Sequence, residues 1–528
     1  MTESGILRLL VQGSLYLVAI FLAVFVAPDQ PFLVIGICLG LLSLVALTHL
    51  RGRIWILFPL SAGFSGAITL IKGGLTPLQV VSLLLVLYCI YLMKADPSFR
   101  IRFGPSWIFW PLLLFTIHML FLWVKGRDLG LNVFGSSKVG GKGYLNTVLP
   151  FFGYLAAISI YRPGTIHDRF LPIYILLGYF VDALLFVITT FAPALSPAIF
   201  NVYNSVNIEA FQATQVDSFR EVSSGFVSRF GRSGHLAYVL LAVLQVYIPY
   251  NRWLSPAKVL LGPPLLLLSL VLSLLSGFRN YFMRYCIVGL IGVWQSFRIY
   301  TLFLLLPILA VVVAICTMQG TVFNFPPQVQ RTLLFLPGQW DPEIAKSAEG
   351  SSDFREDLKR VYFKEFFHWD SFFGDGYLYS RDDLSFSQEA FWNRMGLKVS
   401  EDKDDMFRGF IIRRAHHEGI IDIHHITGHV GTILWACFSL IALYQCSRFV
   451  YTVPLSVATR TANFGATLVI MNVLTFWFLF GCLSEMMPDL YSFLFCFAVG
   501  QVIMSHYSKS PHLTQATRQP NTAVLNAT

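Results

Sequence analysis

The stretch 299–317, IYTLFLLLPILAVVVAICT, carries no charged residue and is interrupted only by Pro307. A bilayer core takes about 20 consecutive, mostly apolar residues in helical form. Backbone amides in lipid must find partners within their own segment, so this stretch reads as a membrane-spanning helix. The rest of the 528 residues agrees with it. Hydrophobic residues make up 55% and charged residues 13%, about half the charge of soluble domains. Mean hydropathy is +0.63. This composition excludes a disulfide-knit secreted scaffold, a disordered chain and a soluble dinucleotide-binding enzyme. The expected fold class is an all-α polytopic membrane protein.

Working outward, candidate spans are 6–26, 32–50, 54–71, 77–93, 107–124, 144–160, 170–191, 234–250 and 259–275. They continue at 281–294, 299–317, 430–443, 464–483 and 490–504, so about 12–14 helices are expected. The first run lacks a basic leading region and a small-residue cleavage site, and reads as a retained anchor. The eight cysteines lie in or beside apolar runs without a CxxC, as buried thiols do. The organisation is then 1–198, N-terminal helices; 199–318, central helices with arginines at their external ends; 319–418, one large, partly helical external loop. Residues 419–505 form the C-terminal helices and 506–528 a polar tail.

Charge is divided unevenly. Residues 319–418 hold 17 acids and 13 bases, which leaves 12 acids and 25 bases elsewhere. With the N-terminus inside, one set of bases falls on inner loops: Arg51, Arg53, Lys94, Arg100, Arg102, Arg162, Arg169, Arg252, Arg298, Arg448 and Arg460. That is the positive-inside pattern. Arg220, Arg229, Arg232, Arg279 and Arg284 fall on the other side, with the large loop. Orientation does not account for these. An anionic ligand at the outer face would, and so would snorkelling to lipid phosphate.

Within the loop, 351–367 (SSDFREDLKRVYFKEFF) reads as an amphipathic helix. Phe354, Leu358, Val361, Tyr362 and Phe366 recur at helical spacing, and Asp353 with Glu356 is the expected N-terminal cap. Arg355 and Lys359 share one face. Residues 325–342 are punctuated by Pro and Gly, and 369–410 read as an acidic loop. Five histidines crowd 416–429: His416, His417, His424, His425 and His429. Proton transfer, a metal pair at His425 and His429 four residues apart, and a structural cluster are all open readings. GSSKVGGKG (135–143) fails as a phosphate loop, because Ser136 stands where glycine is needed and Gly143 follows Lys142; a flexible external loop is expected. Asp402-Lys403-Asp404 is a tripeptide common in acidic loops. Asp182, inside a span, is a functional candidate or an arginine's partner.

In its order of motifs the chain resembles the bacterial O-antigen ligase and O-antigen polymerase superfamily of membrane glycosyltransferases. The resemblance covers roughly 225–445. It rests on His417 eleven residues before the GxxG Gly428-His429-Val430-Gly431, on SRFGRSGHLAYVLL (228–241), on SGFRNYFM (276–283), and on FREDLKR (354–360) in the loop helix. Glu418 stands where members have a small polar residue, and His235 where many have Pro-Asn. The resemblance implies a GT-C-like fold in the bacterial inner membrane, with the termini cytoplasmic and the large loop periplasmic. It implies inverting transfer of glycan from an undecaprenyl-diphosphate donor to an acceptor hydroxyl on a glycan or lipid. No cofactor, metal or nucleic acid takes part. On this reading His417 is the catalytic base. Arg229, Arg232, Arg279 and Arg355 bind the diphosphate, and His416, His424 and His235 are secondary candidates. The alternative is a transporter or flippase of lipid-linked glycan.

Overall fold

The computed structural model describes residues 51–69, 74–128, 130, 138–191, 199–204, 230–252, 255–380, 404–414, 416, 418–479 and 481–509. The expected spans 6–26 and 32–50 lie outside these residues. The described chain is mostly helical. Its longer helices are α1 (Pro77–Ala95), α2 (Ser106–Lys125), α3 (Gly141–Ile160), α4 (Leu171–Phe191), α5 (Gly231–Tyr247), α6 (Gly262–Leu275) and α7 (Arg279–Phe297). They continue with α8 (Thr301–Thr317), α9 (Pro327–Leu333), α10 (Pro342–Val361), α11 (Asp404–Ile412), α12 (Gly419–Thr452), α13 (Arg460–Phe478) and α14 (Leu483–Lys509). Strands are two residues long: β1 (Ala67–Ile68) pairs antiparallel with β3 (Tyr203–Asn204), and β2 (Lys138–Val139) with β4 (Tyr379–Ser380).

Among the described residues, eight helical runs are long and apolar enough to cross a membrane, with 279–317 taken as one run. The protein is therefore an all-α membrane protein. The 279–317 run reverses at Arg298 (φ 55°): Phe282 near its start and Cys316 near its end pack into one cluster with Leu333. The centre of the bundle is α13 and α14. In their membrane windows 83% and 78% of residues are buried, against 11% for 279–317. Gly465 and Gly500 allow this close approach: a Cβ on either would lie within 2.4 Å of a backbone nitrogen of the facing helix.

The span expected at 54–71 is not one helix. A 3-10 turn, Arg51–Ile56, and a short helix, Leu57–Ser61, lead into β1. At Gly63 the chain presses on the backbone of Gly178 and Tyr179 in α4, so the segment packs as a bent strap. The expected helix of 351–367 begins earlier. Its cap is Asp341, whose carboxylate accepts from Glu343 N at 2.8 Å, and not Asp353; Pro342 at the first position fixes φ. Its apolar face is as read: Leu358, Val361 and Tyr362 bury against Phe407, Ile411 and Ile421. Part of 369–410, expected as loop, is helical: α11 supplies that Phe407 and Ile411 contact. Lys138 and Val139, expected in a flexible loop, are paired in the β2–β4 ladder.

The two sets of arginines lie at opposite ends of the bundle. At one end Arg102 Nη1 donates to Tyr161 O at 3.3 Å, Arg460 Nε donates to Val246 O at 3.1 Å, and Arg298 donates to Tyr451 O. At the other end the start of α5 meets the start of α7, with Gly231 and Gly234 against Phe278 and Tyr281. The ends of α6 and α8 join them there around α9.

At that same end α12 breaks. Gly428 has φ 62° and ψ −165° within an otherwise helical run. The segment 371–376 fills the break. His429 N donates to Ser371 O and Val430 N to Phe372 O, while Asp375 N donates to His425 O and Gly376 N to Ile426 O, all at 2.9–3.1 Å. Thr427 O is taken by His118 Nε2 of α2 at 2.9 Å. Five backbone groups at the break are thus paired outside the helix. A Cβ at 428 would lie 2.4 Å from Gly374 N. Gly428→Ala is expected to cost more than about 2 kcal/mol, from the left-handed backbone and the clash together. Thermal unfolding of the full-length protein in detergent measures this. Gly289→Ala, whose new Cβ meets only Leu241 Cδ2 at 3.7 Å, is expected to leave the transition unchanged.

Candidate functional site

Three polar clusters gather at the end of the bundle that carries the break. The first is cationic. Arg279 is the first residue of α7, and Arg355 lies on α10. Lys359, one turn after Arg355, pairs with Glu418 at 2.9 Å. Arg355 is half-buried, and burial together with the nearby Arg279 charge pulls its pKa from 12.5 down to about 10, against the opposing pull of Glu418. The fold thus brings Arg279 and Arg355 within electrostatic reach of each other, beside the segment that carries His416 and Glu418. Two guanidinium groups near each other are suited in charge and shape to an anionic ligand.

The second cluster is the histidine group. His416 is fully buried. Its Nδ1 lies 3.0 Å from Asp422 Oδ1, and its Nε2 lies 2.8 Å from His425 Nδ1. His425 Nε2 lies 3.1 Å from Asp375 Oδ2 and 2.6 Å from Arg414 Nη1. Arg414 is anchored by Nε donating to Gly376 O at 2.8 Å. Asp375 is kept below the usual carboxyl range by its hydrogen bond with His425 and then by Arg414, against burial. His424 Nδ1 meets Tyr362 Oη at 2.8 Å, and His429 stacks on Trp369 with centroids 6.4 Å apart. The expected helical pair His425 and His429 does not form. Gly428 breaks the helix between them, and each turns to different partners. Among the described residues no group of three or more His, Cys, Asp or Glu is arranged to hold a metal ion.

The third cluster ties α4, α5, α7 and α14 together. Asp182 accepts from Tyr203 Oη at 2.6 Å and Ser65 Oγ at 3.2 Å, and lies 3.5 Å from Arg232 Nε. Asp489 accepts from Tyr179 Oη at 2.7 Å. Arg284 lies over the rings of Tyr238 and Tyr281, 5.9 and 5.7 Å from their centroids. His235 is enclosed by Tyr179, Tyr238 and Tyr281. Asp182 is therefore an arginine's partner, and His235 sits among aromatic rings.

Of the site residues expected from sequence, the fold brings Arg279 and Arg355 within electrostatic reach of each other, with Arg355 also in reach of Glu418. Arg232 and His235 sit in the third cluster, and His424 sits on Tyr362. His417 and Arg229 lie outside the described residues. Sequence reading missed Asp375, Arg414 and Asp422 as site members. Asp422 had a usable signal, three residues before His425 and six after His416. Asp375 and Arg414 had none, because only the fold across Gly428 joins them. No family model and no curated protein matches this chain.

The repulsion between Arg279 and Arg355 has a measurable sign. A lowered pKa on a cation means that the folded state holds the charge at a cost at every pH below about 10. Burial is the larger part of that cost and the Arg279 charge the smaller, and an anion beside Arg355 offsets the second. Pyrophosphate at neutral pH is therefore expected to raise the thermal transition of the full-length protein, and the Arg279→Gln variant to show a smaller rise. Thermal unfolding with sulfate at equal ionic strength separates this from general screening.

Proposed function

We propose that the chain is a multi-pass membrane glycosyltransferase of the O-antigen ligase or polymerase type. It takes glycan from an undecaprenyl-diphosphate donor and transfers it to a hydroxyl of a glycan or lipid acceptor. The observation that carries this reading is that Arg279 and Arg355 lie within electrostatic reach of each other, with Arg355 also in reach of Glu418. Breaking the bond between sugar and diphosphate builds negative charge on phosphate oxygens. Fixed guanidinium groups stabilise that charge more in the transition state than in the ground state. Two guanidinium groups within electrostatic reach of each other are suited to such an anion. His417 is the base that takes the acceptor proton. Its sequence neighbours are both held: His416 by Asp422 and His425, Glu418 by Lys359.

On this reading the arginine end faces the bacterial periplasm, and the end with Arg102, Arg298 and Arg460 faces the cytoplasm, as the positive-inside rule asks. The N- and C-termini are then cytoplasmic and 319–418 is periplasmic. The protein is placed in the inner membrane.

Arg279→Ala and Arg355→Ala are each expected to lower transfer by about 10²–10³-fold, the usual loss on removing one charge-stabilising donor. His417→Ala is expected to abolish it while membrane insertion stays normal. Proteoliposomes with the lipid-linked donor and an acceptor measure both. Movement of the lipid-linked glycan across the bilayer without transfer would favour a flippase instead.

A further inference from the structure

A row of aromatic side chains lies in the open where the large segment meets the bundle. Trp369 is 81% exposed, Phe372 60% and Phe373 46%. A contiguous apolar surface of this kind marks a contact with something other than water, and the transfer step above makes no use of it. Its level against α2 says what covers it.

Helix α2 fixes the position of the bilayer. Its 20 residues span about 30 Å, the thickness of a hydrocarbon core. From Ser106 to Val124 it carries no Asp, Glu, Lys or Arg; Lys125 ends it, and Arg102 stands before its start. The helix therefore has little room to slide along the membrane normal, and Lys125 marks the headgroup level. Trp110, Leu114, Ile117, Phe121 and Val124 are exposed at steps of four and three residues, a single stripe that faces lipid. Phe121 then lies about 6 Å below Lys125, and His118 about 10 Å below.

The aromatic row attaches at that depth. The Phe373 ring lies 5.4 Å from the Phe121 ring and 6.3 Å from that of His118, centroid to centroid. His118 Nε2 also holds Thr427 O, beside the break of α12. Phe372 lies against the His429 ring at 6.0 Å, and Trp369 stacks on that same ring. Beyond the break, Ile433, Leu440 and Tyr444 continue an exposed stripe along α12. The row thus bridges two lipid-facing stripes. The chain enters and leaves it through polar residues. His368 and Asp370 flank Trp369 and are exposed, and Asp375, two residues after Phe373, feels the Lys125 charge. Non-helical backbone is tolerated at membrane depth only where protein satisfies it. Here 371–376 bonds to 425–430 across Gly428.

We propose that 369–373 is a re-entrant segment seated in the bilayer leaflet at the arginine end, with Phe372 and Phe373 among lipid acyl chains and Trp369 at the interface. The occupant of this surface is bilayer lipid. An indole at the interface with phenyl rings below it follows the depth preferences of these side chains. The large segment is therefore not wholly external, as its composition suggested. Between α10 and α11 it returns to the membrane, and its backbone closes the break of α12. This holds whatever reaction the protein carries out.

The test places the photoreactive residue p-benzoylphenylalanine in the full-length protein, in vesicles of phosphatidylglycerol tritiated in its acyl chains. Single variants are compared at Trp369, at Phe372, at Ile117 on the lipid-facing stripe of α2, and at Asp357, an exposed acid of α10 paired with Arg360. On illumination the variants at 369 and 372 are expected to take up label as the variant at 117 does, while the variant at 357 stays at background. Background label from either 369 or 372 would overturn the proposal. So would crosslinking of either position into a dimer of the chain in place of lipid. A second measurement needs no unnatural residue. Lipids brominated in their acyl chains quench indole emission on contact, and Trp369→Phe is expected to lose part of the emission that they quench. Equal quenched emission in the wild type and the variant would overturn the proposal as well.

Discussion

A helix that breaks within a membrane protein frees backbone donors and acceptors that lipid cannot satisfy. The break of α12 at Gly428 sets that constraint, and the surrounding structure is arranged to meet it. Four backbone hydrogen bonds from 371–376 and one from the His118 ring close the gap. Because 371–376 is drawn in, Asp375 arrives beside His425, and Tyr377 and Leu378 arrive against α2 and α3. Because the helix stops at 427, His425 turns to His416 and Asp375, while His424 stays against the His429 ring, 4.8 Å between centroids. The polar end of the molecule follows from this one irregularity, which only glycine tolerates at these dihedrals.

The second organising feature is the separation of charge. The guanidinium groups of Arg102, Arg298 and Arg460 donate to backbone carbonyls at helix ends and stabilise the termini they touch. The opposite end is of another kind. There Arg232 meets a carboxylate inside the bundle, Arg284 lies over tyrosine rings, and Arg279 and Arg355 are brought towards each other. Bringing like charges together costs stability, and proteins keep such arrangements where a ligand or a reaction makes use of them. Among its described residues, acids of the large segment pair with its own bases, as in Arg408 on Glu365 at 2.6 Å and Arg360 on Asp404 at 2.8 Å. That leaves the acidic segment folded on itself, as a cap beside the arginine pair.

The spans were legible in the sequence because so many apolar runs of bilayer length could not all be buried inside a soluble domain of this size. The 54–71 run misled, since a hydrophobic stretch reports burial and not shape: its backbone bends at Gly63 to press on α4. The apolar face of α10 was legible from its spacing, but its start was not. Asp341 and Asp353 are both plausible caps, and the choice was made by Pro342 and by the room for about three more turns. Helix α11 was hidden in an acidic run whose few apolar residues, Phe407, Phe410 and Ile411, are too short a pattern to stand out. Arg279 and Arg355 were legible as outward-facing bases that orientation did not need. Their meeting was not, because α7 and α10 are separated in sequence and joined only through packing around α9. Asp375 and Arg414 belong to the site through the break at Gly428, and no local pattern announces a contact of that kind.

The central claim is that the arginine end of the bundle is a site for a lipid diphosphate. The most direct measurement is a structure of the full-length protein in a lipid nanodisc with undecaprenyl diphosphate bound. The expected result is a diphosphate lying between the guanidinium groups of Arg279 and Arg355, with its lipid chain leaving towards the bilayer. A diphosphate bound elsewhere, with those two arginines left to solvent, would contradict it.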